Sequence, residues 1–129
     1  LLNNLSKNTN ILDCSPGTSC NVVNTLQNAD IAILVTEPSE FGLHDLKMAV
    51  ELVKKFNMPM GIVINKSVSD ENIITQYCKR ENISIVGSLP YSRGIAKQYS
   101  KGEMLIENDE YRSLFENIAK NVKETLVWN

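Results

Sequence analysis

Two short runs along the chain, IAILV (31–35) and MGIVI (60–64), are apolar at every position or nearly so. A strand with water on one side alternates apolar and polar residues, whereas a continuous apolar run marks a strand covered by helices on both faces, as in a parallel sheet. NIL (10–12), directly before Asp13, and ISIVG (83–87), interrupted by Ser84, are weaker runs of the same kind. The pattern therefore predicts four strands.

Between the strands the period changes to that of a helix. In GLHDLKMAVELVKKF (42–56), Leu43, Leu46, Val50 and Val53 form one apolar stripe, with Lys47, Glu51 and Lys54 largely on the other side. SDENIITQYCKREN (69–82) predicts a helix capped by Ser69, with Asp70 and Glu71 in the first turn, where the helix dipole favours negative charge. Its apolar contacts are Ile73, Ile74 and Tyr77. EYRSLFENIAKNVKETLVW (110–128) places Leu114, Ile118, Val122 and Leu126 four apart, which predicts one long final helix lying across the sheet. Strands and helices alternating through short connections predict an α/β fold, a parallel sheet flanked by helices with right-handed crossovers.

Composition narrows the setting. With 129 residues, 43% hydrophobic and 22% charged, the chain suits one α/β domain that buries roughly two-thirds of its unfolded surface. The net charge is -2 and the basic residues are scattered, so neither nucleic acid nor an anionic membrane surface is expected as a partner. No apolar run approaches the ~18 residues of a membrane span, and no secretory signal pattern opens the chain, so a cytoplasmic protein is expected. Cys14, Cys20 and Cys78 are an odd number without a C-x-x-C pair, which suits a reducing compartment and offers no self-contained zinc or cluster site. The first residue is Leu1, and LLNNLSKNTN (1–10) reads as the tail of a helix or loop entering a strand. The expectation is a chain that starts inside a larger protein.

Ligands of parallel α/β sheets bind beyond the carboxyl ends of the strands, which directs attention to DCSPGTSC (13–20), TEPS (36–39), NKS (65–67) and SLPY (88–91). Asp13 is read two ways: as a turn former accepting backbone amides, or as a carboxylate beside a phosphate site. Gly17 permits close backbone approach to a ligand, and Thr18 and Ser19 lead into a helix whose free amides favour an anion. A carboxylate there suits a magnesium ion held through water.

These segments, taken in order from D-x-x-P-G through AILVTEPS, GLHDLKMAVEL and GIVINK to a strand ending in LPY, resemble the carboxyl-terminal half of the MinD/ParA/Mrp-like P-loop ATPases. That group is also catalogued with the cobyrinic acid a,c-diamide synthases, and the resemblance is strongest to its members with an inserted ferredoxin-type domain. It runs over about residues 11–107. It implies that Asp13 is the aspartate on the magnesium water shell and Gly17 the switch glycine at the γ-phosphate, with Pro16 fixing the turn. Asn65 would hydrogen-bond adenine, and Pro90 and Tyr91 would wall the base pocket. Guanine-binding relatives read the base with N-K-x-D, and here Val68 stands where that Asp would be. Adenine is favoured on that ground.

No G-x-x-x-x-G-K-[ST] occurs, so the loop that cradles the phosphates is expected upstream of Leu1, as is any ferredoxin-type cluster. Residues 1–129 then form the C-terminal part of a larger nucleotide-binding domain. The implied function is the switch and adenine-binding half of an ATPase that uses ATP and Mg2+, forms a nucleotide-dependent homodimer and serves a partner such as an iron–sulfur protein. The chain alone would be inactive. Two alternatives stand beside it: a non-catalytic α/β interaction module, and part of a cobyrinic acid diamide synthase-like ligase. Cys20, in a first helical turn, is a redox or cluster candidate set against plain packing. His44 precedes Asp45 on a helix, where neighbours do not face each other, and is expected at the surface.

Overall fold

A computed structural model of the chain describes residues 9–102, 104 and 109–127. Strands β1 (Ala32–Thr36), β2 (Met60–Ser67) and β3 (Ser84–Pro90) form a parallel sheet in the order β1-β2-β3. Helices α1 (Cys20–Gln27), α2 (Glu40–Lys55), α3 (Ile73–Glu81), α4 (Arg93–Ser100) and α5 (Asp109–Val122) follow in chain order, and a π-helical turn, Lys123–Val127, ends the described chain. The α/β architecture and its parallel sheet are those expected from the apolar runs.

One face of the sheet is sealed by α1, α2 and α3. Leu46, Val50, Ile62, Ile64, Ile74, Tyr77 and Cys78 form the main cluster, and Val22, Leu26, Ala32 and Val53 a second beside it. The stripe read from 42–56 is the one buried, with Leu43 partly so. Over the other face, Ile118 lies on Gly87 and Leu126 on Gly61, so the end of the chain crosses β2 and β3 but leaves Ile33 and Val35 of β1 exposed.

The ladder is irregular twice. Between Ile62↔Ile85 and Val63↔Gly87, β3 carries one residue more than β2; between Ile64↔Ser88 and Ser67↔Pro90 the extra residue is on β2. Such bulges bend a strand and re-aim its side chains. At the first, the carbonyl of Val86 accepts a bond from Asn121 Nδ2 at 2.9 Å.

Three expectations are corrected. Residues 10–12 form no strand: they are exposed and outside any ladder, because a strand needs a hydrogen-bonding neighbour and the apolar pair Ile11 and Leu12 has none among the described residues. The third helix starts at Ile73, not after Ser69. Asn72 Oδ1 accepts from the amides of Ile74 and Thr75 while Thr75 Oγ1 accepts from the Asn72 amide, a reciprocal cap that fixes the start. The final segment is not one α-helix, since its last turn widens to a π-helical one. Residues 1–8 and Trp128 lie outside the described residues.

Candidate functional site

Four loops were expected to converge at the carboxyl ends of the strands, and the structure ties three of them together. After β1, Thr36 Oγ1 donates to the carbonyl of Gly42 at 3.0 Å, and Ser39 Oγ caps α2 by accepting from the Gly42 amide at 3.0 Å. A Cβ on Gly42 would run into the carbonyl of Glu37. Only glycine lets the first turn of α2 sit this close to the loop before it.

After β2, the bulge falls on Asn65 and Lys66. Lys66 absorbs it with φ +56°, a left-handed conformation that lysine adopts rarely. Its amide donates to the Oδ1 of Asn65 at 3.0 Å, and its Nζ lies 3.7 Å from Glu37 Oε2 in the loop after β1. Both partners of that ion pair are about half exposed, so its contribution to stability is small. After β3, the Tyr91 amide donates to the Ser67 carbonyl at 2.7 Å, which continues the pairing past Pro90. Ser92 Oγ meets the buried Tyr111 hydroxyl at 3.0 Å, anchoring this loop to α5.

Asn65, Pro90 and Tyr91 are thereby held at one end of adjacent strands, as the sequence placed them. Tyr91 is 58% exposed, with Val68 at 81% and Phe41 at 85% beside neighbouring strand ends. Asp13 lines an open hollow of about 420 Å³ with Ile11, Leu12, Asn24 and Thr25 of α1, and Asn28 just after it; none of Asn65, Pro90 or Tyr91 lines it. Gly17 adopts φ +104° with open space where a Cβ would stand, so its backbone conformation, not crowding, calls for glycine.

Cys14 and Cys20 are exposed and flank that turn, whereas Cys78 is buried in the main cluster, where desolvation pushes its thiol pKa from 9.0 up to about 11. Among the described residues no three His, Cys, Asp or Glu side chains group in a way that would hold a metal ion, and no helix is long and apolar enough to cross a membrane. His44 is exposed. The left-handed Lys66 and its ion pair with Glu37 were missed by sequence reasoning, because both follow from the register slip between β2 and β3 and no residue pattern announces it.

Comparisons with known proteins add the following. A family model described as NUBPL iron-transfer P-loop NTPase, of ParA type, matches residues 8–124. Over 118 residues the chain is 39% identical to an uncharacterized protein of Methanocaldococcus jannaschii, a match that covers 89% of this chain and 40% of that protein. An uncharacterized ATP-binding protein of the same organism is 32% identical over 132 residues, covering 95% of this chain and 52% of the relative. An iron-sulfur cluster carrier protein of Aquifex aeolicus is 24% identical over 134 residues, covering 90% and 37%. The chain thus spans about half or less of the length of these relatives.

Proposed function

The chain belongs to the NUBPL iron-transfer P-loop NTPase family of ParA type, and from that premise we propose that it is the switch and adenine-binding half of a protein that couples ATP binding and hydrolysis to a partner, with iron–sulfur cluster transfer as the process served. The phosphate-cradling part precedes it in this reading, and nucleotide brings two copies together. The observation that carries the base site is the Asn65–Lys66 bulge held against the Pro90–Tyr91 loop by the bond from the Tyr91 amide to the Ser67 carbonyl.

The residues present fit an adenine base. Asn65 offers amide donors and an oxygen acceptor at a strand end, and the exposed Tyr91 ring offers a flat apolar wall. In this reading Asp13 supplies one exposed carboxylate, which would hold a magnesium ion through water. Magnesium, when bound, neutralises charge on the phosphate oxygens. Gly17 brings its amide to the γ-phosphate, and hydrolysis proceeds by positioning and charge stabilisation of phosphoryl transfer to water. In this reading the iron–sulfur cluster is cargo; of the cysteines, Cys78 is buried and Cys14 and Cys20 are exposed. Support for cluster transfer comes from relatives named iron-sulfur cluster carrier protein in Aquifex aeolicus and cytosolic Fe-S cluster assembly factor in Caenorhabditis elegans.

Equilibrium titration of the full-length protein with ATP and Mg2+ tests the proposal. Binding is expected, and Asp13→Ala is expected to lose the magnesium dependence. A full-length protein that binds no nucleotide yet still engages a partner would instead leave the α/β interaction module.

A further inference from the structure

We propose that Tyr111 is a positioning residue for the base wall: through Ser92, its buried hydroxyl holds Tyr91 where a flat base can stack on the ring. The proposal rests on the reading of Tyr91 as a wall of the base site. Tyr91 is 58% exposed, so little of its place comes from packing around its own ring. The backbone on either side sets it instead. Upstream, Pro90 pairs with Ser67 and the Tyr91 amide donates to the Ser67 carbonyl at 2.7 Å. Downstream, Ser92 Oγ shares a hydrogen bond of 3.0 Å with the Tyr111 hydroxyl. Tyr91 thus stands between a tie to β2 and a tie to α5.

The residues around the second tie keep it closed. Tyr111 is 7% exposed, and a phenylalanine would fill the same space with no hydroxyl to satisfy. Among the described residues the hydrogen-bond partner of that hydroxyl is Ser92. A buried hydroxyl left without a partner destabilises the fold, which favours the closed pair. The start of α4 packs over it: the Ala96 amide donates to the Ser92 carbonyl at 3.2 Å, and a Cβ on Gly94 would stand 3.3 Å from Ser92 Oγ and 3.6 Å from the Tyr111 hydroxyl. α5 in turn is fixed on β3, with Ile118 on Gly87 and Asn121 bonded to the Val86 carbonyl. The strand that ends at the base site therefore also carries the helix that steadies the residue after Tyr91. Removing the Tyr111 hydroxyl removes that hold and leaves the ring in the core.

The test is calorimetric titration of the full-length protein with ATP and Mg2+. The wild-type protein is expected to bind, and Tyr91→Ala to bind more weakly. Tyr111→Phe is expected to lower ATP affinity by about fivefold, the cost of ordering one side chain on binding instead of beforehand. Ser92→Ala is expected to weaken binding too, and the double variant to lose no more than the larger single loss, because the two act through one bond. Asn121→Leu loosens α5 away from the loop and is expected to leave the affinity unchanged although it lowers stability. Unchanged affinity in Tyr111→Phe overturns the proposal. So does an equal loss in Asn121→Leu, which would mark a general loosening of α5, or losses that add in the double variant. A wild-type protein that binds no ATP, or whose binding is indifferent to Tyr91→Ala, overturns the base-wall reading and this inference with it.

Discussion

Asn121 Nδ2 donates to the carbonyl of Val86 at 2.9 Å, across the point where β3 carries one residue more than β2. Val86 is the residue of β3 that the register skips, and a side chain from α5 bonds its carbonyl. Asn121→Leu keeps the bulk and removes the donor, so the carbonyl of the buried Val86 loses this bond. The expected loss is about 1–3 kcal/mol, read as a lower urea midpoint at unchanged slope. An unchanged midpoint would show that water reaches the carbonyl.

Gly42→Ala sets two effects against each other. Alanine raises helix propensity by about 1 kcal/mol, but its Cβ would collide with the Glu37 carbonyl and crowd Thr36 Oγ1. Because the obstacle is backbone, the collision dominates, and a net destabilisation of about 1–3 kcal/mol is expected. Thermal unfolding measures it, and a raised melting temperature would mean that the loop after β1 gives way.

How far the sequence revealed these features depended on whether the cause was local. IAILV and MGIVI announced buried strands because their own residues are apolar on both faces, and Leu46, Val50 and Val53 announced the buried side of α2 by spacing alone. Ile11 and Leu12 misled because a strand is completed by its neighbour, which hydropathy does not show. Ser69 misled because Asn72 and Thr75 cap each other three residues later. The strand-end rule put Asn65, Pro90 and Tyr91 at the carboxyl ends of β2 and β3, where they lie; a role for them comes from the family resemblance alone. The conformation of Lys66 depends on a slip in pairing with β3, which lies outside any local pattern.

Cys78 gives a prediction in pH. Burial raises its folded pKa from 9.0 to about 11, so between those values the unfolded chain releases a proton that the folded one retains. The stability from this group is complete below pH 9, falls as pH rises toward 11, and is lost above. Tyr77 is shifted upward from 10.0 too, chiefly by burial, and adds to the loss from pH 10 upward. Urea unfolding between pH 8 and pH 11 should show the decline, reduced in Cys78→Val. In a thiol-reagent assay at pH 8, Cys14 and Cys20 should react quickly and Cys78 only as the chain unfolds, since the first two are exposed and the third buried. Rapid reaction of all three would contradict the burial of Cys78.

Ile33 and Val35 share a sheet face with Gly61 and Val63, but α5 does not reach them, and Val35 is 66% exposed. Among the described residues the outer edge of β1 is also unpaired, an arrangement that invites association. The 129-residue chain by itself should therefore self-associate with rising concentration in sedimentation velocity, and Val35→Lys should suppress this. Equal association of the two would place the contact elsewhere.

The proposed adenine site lies at the carboxyl ends of β2 and β3. Photolabelling of the full-length protein with 8-azido-ATP and Mg2+, followed by mass spectrometry of the labelled peptides, tests it most directly. Label is predicted on the peptides that carry Asn65 and Tyr91, and excess ATP should remove it. Competable label confined to other peptides, with none at these two loops, would contradict the account.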